Sequence, residues 1–336
     1  MSKIGYILRC IRTMSFSRMF KTISSIHQKT KKSRIVLFFD MVYCGLRYGA
    51  GYRDYDLNEW WTLNRKQRKT YITRGINNSL VKKLNDSNYY HILANKVDFN
   101  KHFSDCLGRE WLDLQTASFE DFENFYEKID TFIAKPLDGA CGRGVVKVCR
   151  GDYESAKAAY DALIGMKSYL IEEYVIQHPV ISAIYPCSVN TLRIVTVTDD
   201  KGEPHILYAF IRIGNGGRVV DNINAGGMAA PIDVDTGVIN NVAFDKDYNY
   251  YEKHPYTDHE LIGVKIPYWN EACKFVIDAA KRIPQLRYVG WDVAITENGP
   301  TFIEANQHPG HDILQMPPHV PDKIGILPRL REFIDI

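Results

Sequence analysis

The sequence predicts a mixed α+β chain opened by a helical segment, and three observations carry that expectation. Residues 3–27 and 35–46 place apolar side chains near helical spacing. From residue 132 onward, β-rich stretches bounded by glycine and turn residues recur at 132–148, 168–175, 188–213 and 288–305. Helical patterns at 119–128, 151–164 and 270–283 lie between them, and 327–336 reads as a short terminal helix. A chain of 336 residues is long for one compact domain, so two or three subdomains are expected. Its 45% hydrophobic and 24% charged content is that of a globular protein with length enough for a core.

Charge is unevenly spread. Residues 1–39 hold nine Lys or Arg and no Asp or Glu, out of 42 basic and 40 acidic residues overall. The remainder therefore has 33 basic against 40 acidic residues, a net of −7. A basic leader on an acidic body fits either a solvated helix or docking onto an acidic partner or an anionic membrane surface. Seven cysteines are scattered without a CxxC pair, and the opening lacks the apolar core of a signal peptide. No apolar run approaches the roughly 18 residues that span a bilayer. The best, 35–50, is broken by Asp40 and Arg47. These features predict a cytoplasmic protein, with a peripheral place at the inner membrane face as the variant that the basic leader allows.

Taken in order, 48–55 is an aromatic and glycine loop, and Trp60 and Trp61 precede a basic run at 65–69. The tryptophans either pack this segment or stack on a ligand ring. Helical patterns lead on to Leu84, and a short apolar run, 91–94, precedes Lys96 and a helical stretch at 98–106. Residues 132–148 then read as strand, glycine loop, strand. Gly139, Gly142 and Gly144 permit positive φ and let successive N–H groups face an anion without a Cβ in the way. No Gly-Lys-Ser/Thr follows and no helix comes next, so this is neither a P-loop nor a dinucleotide fingerprint. Lys135 precedes the loop, where a buried lysine calls for an anionic partner such as phosphate.

The strand at 168–175 breaks into the polar linker Gln177-His178-Pro179. In 188–198, alternation puts Leu192, Ile194 and Thr196 on one face and Arg193 on the other; an arginine there is either paired or turned toward an anion. Residues 205–213 return as a strand carrying Arg212. The glycine-rich stretch 222–230 is either a mobile loop beside a site or a plain connection. Residues 245–268 look irregular, and His308 and His311 are separated by Pro309 and Gly310, which favours a loop over a zinc site.

Residues 285–312 carry the most chemistry. Tyr288 to Ile295 alternates, 297–300 is Glu-Asn-Gly-Pro turn chemistry, and Thr301 to Ala305 returns as a second strand. Asp292 falls on the first strand, and Glu304 and Asn306 on or just past the second. Paired strands lie about 5 Å apart, so two carboxylates and a carboxamide converge. Such a hard-oxygen set suits Mg²⁺ shared with phosphate oxygens, unless the three are simply solvated at a hairpin end.

The order of these parts resembles the ATP-grasp superfamily over about residues 90–315: Lys96, then Lys135 with its glycine loop, then Glu172-Glu173-Tyr174-Val175, then Asn190-x-x-Arg193, then Asp292 with Glu304-x-Asn306. The segments at 48–55, 132–136 and 304–310 are similar to the sugar-transfer-associated ATP-grasp proteins found with polysaccharide biosynthesis. The resemblance implies an ATP-grasp fold, α+β, with two subdomains gripping ATP behind a helical N-terminal extension. Its boundaries would be 1–88 for the extension and the start of the first subdomain, 89–175 for the subdomain with the glycine loop, and 176–336 for the one with the metal site.

Residue by residue, it implies that Lys96 and Lys135 hold the α- and β-phosphates. Gly139 to Gly144 would close over them with Arg143 reaching in. The Glu173 carbonyl and the Val175 N–H would read the purine edge with Glu172 and Tyr174 beside them. Arg193 would face the γ-phosphate or an acyl phosphate, and Asp292, Glu304 and Asn306 would bind Mg²⁺. A ribose-binding carboxylate common in the family is replaced here by 177–179. The implied activity is ATP-dependent carboxylate–amine ligation through an acyl phosphate, with a sugar acid and an amino acid as partners and no nucleic acid. An ATP-grasp kinase acting on a hydroxyl and a non-catalytic nucleotide-binding interaction protein are the alternatives.

Overall fold

The computed structural model describes residues 15–137 and 144–336, which fall in two compact units. The first takes the chain up to Lys83 together with 310–336, and the second runs from Leu84 to Pro309. The leader's residues 1–14 and the loop residues Gly139, Gly142 and Arg143 lie outside the described set.

The first unit is helical. Helix α1 (Phe16–Thr30) starts at Ser15, whose hydroxyl accepts the Arg18 N–H at 3.4 Å, and α2 (Arg34–Tyr48) follows. Met19, Ile23 and Ile26 recur at helical spacing and bury against Leu37, Met41 and Cys44 of α2, where Tyr55, Trp60 and Tyr71 complete the core. Trp60 is fully buried, with ring contacts to Tyr48 at 5.6 Å and Tyr71 at 5.9 Å, so this tryptophan packs the segment. Asp40, the one acid of α2, accepts two bonds of 2.7 Å from Arg68 and one of 2.7 Å from the Tyr55 hydroxyl. The tail joins this unit through Gln315, which accepts the Ile72 N–H and donates to the Ile72 carbonyl, each at 2.8 Å.

The second unit has two antiparallel sheets among its described residues. In the smaller, β1 (Trp111–Asp113), β4 (Leu170–Glu173), β2 (Thr131–Lys135) and β3 (Val146–Cys149) lie side by side in that order. Helix α3 (Phe119–Lys128) opens with a capping box between Ser118 and Asp121, and α4 (Ala156–Gly165) follows β3. Phe122, Phe125, Tyr126, Ala159 and Leu163 of these helices pack on Phe132, Ala134, Val148 and Ile171 of the sheet.

The larger sheet runs β11, β10, β5, β6, β7, β8, β9. Its strands are β5 (Leu192–Thr198), β6 (Pro204–Ile213), β7 (Met228–Ile232), β8 (Ala243–Asp245), β9 (Tyr250–Tyr251), β10 (Tyr288–Thr296) and β11 (Gly299–Asn306). The polar stretch read as irregular thus adds one short edge strand and the end of another. Helix α5 (Trp269–Arg282) lays Ala272, Val276, Ala279 and Ala280 on this sheet. Phe302 lies between Phe275 and Trp291, with ring centroids 4.2 and 5.2 Å away, in a cluster where each buried aromatic contributes roughly 1.5–3 kcal/mol. One face of the β5–β10–β11 sector is thereby committed to the core; alternation turns the intervening residues of β5 and β10 to the other face, and a register shift between Asp292 and Val293 brings Glu304 of β11 beside them.

Candidate functional site

Those intervening residues form a row of charge. Asp292 on β10 stands directly opposite Glu304 on β11 and, on its other side, opposite Arg193 on β5. Directly paired residues share a sheet face, and Asn306, two residues past Glu304, shares it too. Arg193 grips Asp292 with two nitrogens, its Nη2 donating to Oδ2 at 2.8 Å, and Arg212 of β6 donates to the same Oδ2 at 2.5 Å. The other end of Arg212 donates to Asp221 Oδ1 at 2.8 Å, and Asp221 Oδ2 accepts the N–H and the hydroxyl of Thr191 at 3.0 and 2.5 Å.

Asp292 and Asp221 are buried, and Arg193, Arg212 and Glu304 are partly buried. Burial pushes the Asp292 carboxyl up, but Arg193 and Arg212 outweigh it and hold the group at about 2. Glu304 goes the other way, raised by burial and by the neighbouring Asp292 charge. Burial likewise raises Asp221 in spite of Arg212. Three carboxylates thus share two guanidinium groups.

A second cluster sits on the smaller sheet. Lys135, the last residue of β2, bonds Glu172 of β4. Arg109 donates to Glu172 Oε1 at 2.9 Å and to the Phe302 carbonyl at 2.6 Å, and Asn100 donates to the same Oε1 at 2.8 Å. Burial raises the Glu172 carboxyl, but the charges of Arg109 and Lys135 overcome that and hold it at about 2. Lys96 begins the helix Lys96–His102, and its Nζ reaches the carbonyls of Pro136 and Leu137 at 3.4 and 3.3 Å. Gly144, the first described residue after the loop, has φ +72°; a Cβ there would press on Pro136 at 3.1 Å.

Both clusters line one cleft, with a cavity of about 130 Å³. Ile133, Val145, Tyr174, Val175, Val189 and Ile303 give part of it an apolar wall, and the Tyr174 ring carries the Lys147 ammonium 4.0 Å from its centroid. An apolar slot beside converging charges has the form of a small-molecule site. Glu173, Tyr174 and Val175 line the slot, and the Glu172 carboxylate faces Lys135 and Arg109. Gln177 is spent on the backbone: its amide donates to the Ser188 carbonyl at 2.7 Å and accepts the Asn190 N–H at 2.9 Å.

The residues fit a divalent cation with a polyphosphate. Glu304 is a partly buried carboxylate set directly opposite another. The buried Asn306 Nδ2 has no hydrogen-bond partner among the described residues, and turning that carboxamide over presents oxygen at the same point. Asp292, Glu304 and Asn306 are the set that would hold Mg²⁺. His308 and His311 take separate partners, an edge contact to Tyr90 and a 3.1 Å contact to Asp54 Oδ1.

Sequence reasoning missed Arg109, Asp221 and Asn222 as cleft residues and named Arg212 without a role. For Arg212 there was a signal, since its β6 alternation follows from that of Arg193. The glycine-rich stretch resolves into a packed turn: a Cβ on Gly227 would lie 2.4 Å from the Asp221 carbonyl oxygen and 2.8 Å from that of Ile213.

Among solved structures, the fold is similar to a D-alanine–D-alanine ligase from Bacillus anthracis at 14% identity, over 77% of this chain and 74% of that one, with a TM-score of 0.43. It is also similar to the ATP-grasp ligase PsnB with a minimal precursor (14% identity, 68% of this chain, 56% of that one, TM-score 0.39). A third is D-alanyl-alanine synthetase A from Vibrio cholerae (14%, 72% and 60%, TM-score 0.39). The chain thus spans little more than half the length of the last two. No curated protein matches the sequence. Residues 75–333, by contrast, match the family described as sugar-transfer associated ATP-grasp, well over half of the chain. The chain belongs to the sugar-transfer associated ATP-grasp family and has its ATP-grasp fold.

Proposed function

We propose that the protein is an ATP-dependent carboxylate–amine ligase acting on a surface-polysaccharide or sugar substrate, with a sugar acid and an amino acid as the pair to be joined. The observation that carries this reading is the meeting, in one cleft, of the Lys96–Lys135 side with the Asp292–Glu304–Arg193 row. The reaction is attack of a carboxylate on the γ-phosphorus of ATP with release of ADP, then displacement of phosphate by an amine.

Bound Mg²⁺ would neutralise charge on the phosphate oxygens, and Asp292, Glu304 and Asn306 would hold it. Lys96 and Lys135 would hold the α- and β-phosphates, and the ion pair with Glu172, which fixes the Lys135 ammonium in position, supports that role. The Glu173 carbonyl and Val175 N–H would take the purine edge, with Tyr174 beside them and Ile133 and Ile303 on the apolar wall. Arg193 and Arg212 are held by Asp292 and Asp221 where charge develops on the transferred group, so they need no reorganisation during the step. Gly139, Gly142, Gly144 and Arg143 are assigned to the closing loop that keeps water from an activated carboxylate. A cytoplasmic location belongs to this reading, supported by scattered cysteines without a CxxC pair.

The test is ADP formation from Mg-ATP across sugar acids and amino acids, singly and in pairs. Turnover that requires a pair supports the ligase and identifies both substrates. A stable phosphomonoester formed from one hydroxylated sugar would make the protein a kinase. ATP binding without turnover across the panel would favour a nucleotide-binding interaction protein.

A further inference from the structure

Helix α2 is apolar on two opposite faces. Leu37, Met41 and Cys44 form the seam buried against α1. At about 100° per residue, Ile35, Val36, Phe39, Tyr43 and Leu46 occupy one arc on the far side. That arc lies in solvent, with Ile35, Phe39 and Leu46 exposed to 69%, 65% and 54%. The apolar surface continues onto α1, where Phe20 (53% exposed) stacks on Phe38 at 6.0 Å, and Phe38 meets Phe39 edge-on at 5.4 Å. A helix apolar all round is ordinarily covered on both sides, and a contiguous exposed patch of this kind marks an interaction surface.

The charges around the stripe select its occupant. Every charged side chain from residue 15 to residue 39 is Lys or Arg, and each is exposed. Lys31, Lys32 and Arg34 stand at one end of the stripe and Arg47 at the other. The single acid of α2, Asp40, is turned inward onto Arg68 and does not offset them. Two copies packed stripe to stripe would bring these cations together with no acids between them, since a two-fold contact sets identical patches face to face. An anionic bilayer surface takes an apolar, aromatic stripe into the acyl boundary and pairs a basic rim with its headgroups. At 15 residues α2 is too short to span, and among the described residues no helix is long and apolar enough to cross a membrane. It would lie in the interface plane.

We propose that the α1–α2 hairpin is a peripheral docking surface for anionic phospholipid, with the Ile35–Phe39–Leu46 stripe inserted and the Lys31–Lys32–Arg34 and Arg47 ends on the headgroups. A lipid-linked or membrane-confined sugar substrate would then be presented to an enzyme held at the surface. The docking itself does not depend on the ligase reading.

The test is co-sedimentation of the full chain with vesicles of phosphatidylglycerol and phosphatidylcholine, compared with phosphatidylcholine alone. The expected result is at least tenfold stronger binding to the anionic vesicles. The double variant Phe39→Ser/Leu46→Ser should lose most of that binding, and Lys31→Glu/Lys32→Glu should lose about tenfold or more. All four positions are exposed, and circular dichroism establishes that each variant keeps its helices. Equal binding to both lipids, or wild-type binding by both variants, overturns the proposal. So does a dimer in vesicle-free solution that Phe39→Ser/Leu46→Ser abolishes, because a second copy would then be covering the stripe.

Discussion

Asp292 and Glu304 face each other directly across two hydrogen-bonded strands, Asp292 buried and Glu304 partly so, and only Asp292 is clasped by arginines. Their losses should therefore differ. Glu304→Ala removes a carboxylate whose charged form the fold disfavours, so the variant should stay folded, with a melting temperature close to wild type, and lose turnover. Asp292→Asn leaves Arg193 and Arg212 partly buried beside a neutral group and should cost about 3–5 kcal/mol in denaturant unfolding. Wild-type turnover in Glu304→Ala would remove Glu304 from the site.

Glu172 makes stability depend on pH in a defined direction. Its folded value of about 2 lies below the ordinary 4.5. A carboxylate lowered by folding stabilises the native state above its unfolded value and loses that contribution as pH falls through the folded value. The contribution is thus complete at neutral pH and drains between about 4.5 and 2. Glu172→Gln should be less stable at pH 7 by about 3–5 kcal/mol, and the gap should narrow across that acid window. A gap independent of pH would contradict the ion-pair assignment.

Lys135→Ala should weaken ATP binding in a nucleotide titration, and it also strips Glu172 of one counterion. Lys135→Arg keeps the charge for Glu172, so it should recover stability more fully than affinity. Unchanged affinity in both variants would return Lys135 to a structural role.

Gly227→Ala tests the turn beneath the arginine row. Its Cβ would meet two backbone carbonyls, which yield less readily than a side chain. Displacement of Asp221 should loosen Arg212, lowering stability by roughly 1–3 kcal/mol and reducing turnover beyond what that loss explains. A stable variant with full activity would show that Asp221 tolerates movement.

In the first unit, Arg68→Ala should destabilise the helices by about 3–5 kcal/mol, because Asp40 and the Trp60 carbonyl lose their partner. Thermal unfolding followed by limited proteolysis measures it, and cleavage is expected first within residues 15–83.

Legibility in the sequence followed range. The hairpin of β10 and β11 was readable because its turn and its alternation are local, but the direct Asp292–Glu304 pairing was not, because it depends on a register shift between Asp292 and Val293 that no local pattern announces. Arg193 was placed by period-two alternation, and the capped helix Phe119–Lys128 by its pattern. Arg109 was not readable. It sits in no regular element, and its partners, Glu172 and the Phe302 carbonyl, are 63 and 193 residues away. Asp221 was hidden because it sits in an irregular connection, where Arg212 at the end of β6 and Thr191 just before β5 meet it only in the folded sheet. The glycines at 226 and 227 left two readings open, since flexibility and close packing select the same residue type. The short strand Tyr250–Tyr251 was invisible because an edge strand this brief has no period to detect.

Calorimetric titration of ATP with and without Mg²⁺, on wild type and Glu304→Ala, decides whether this cleft binds Mg-ATP through the carboxylate pair. The wild type should bind ATP in a Mg²⁺-dependent way, and Glu304→Ala, still folded, should lose that binding. Equal affinity with and without the metal, or in both proteins, would contradict it.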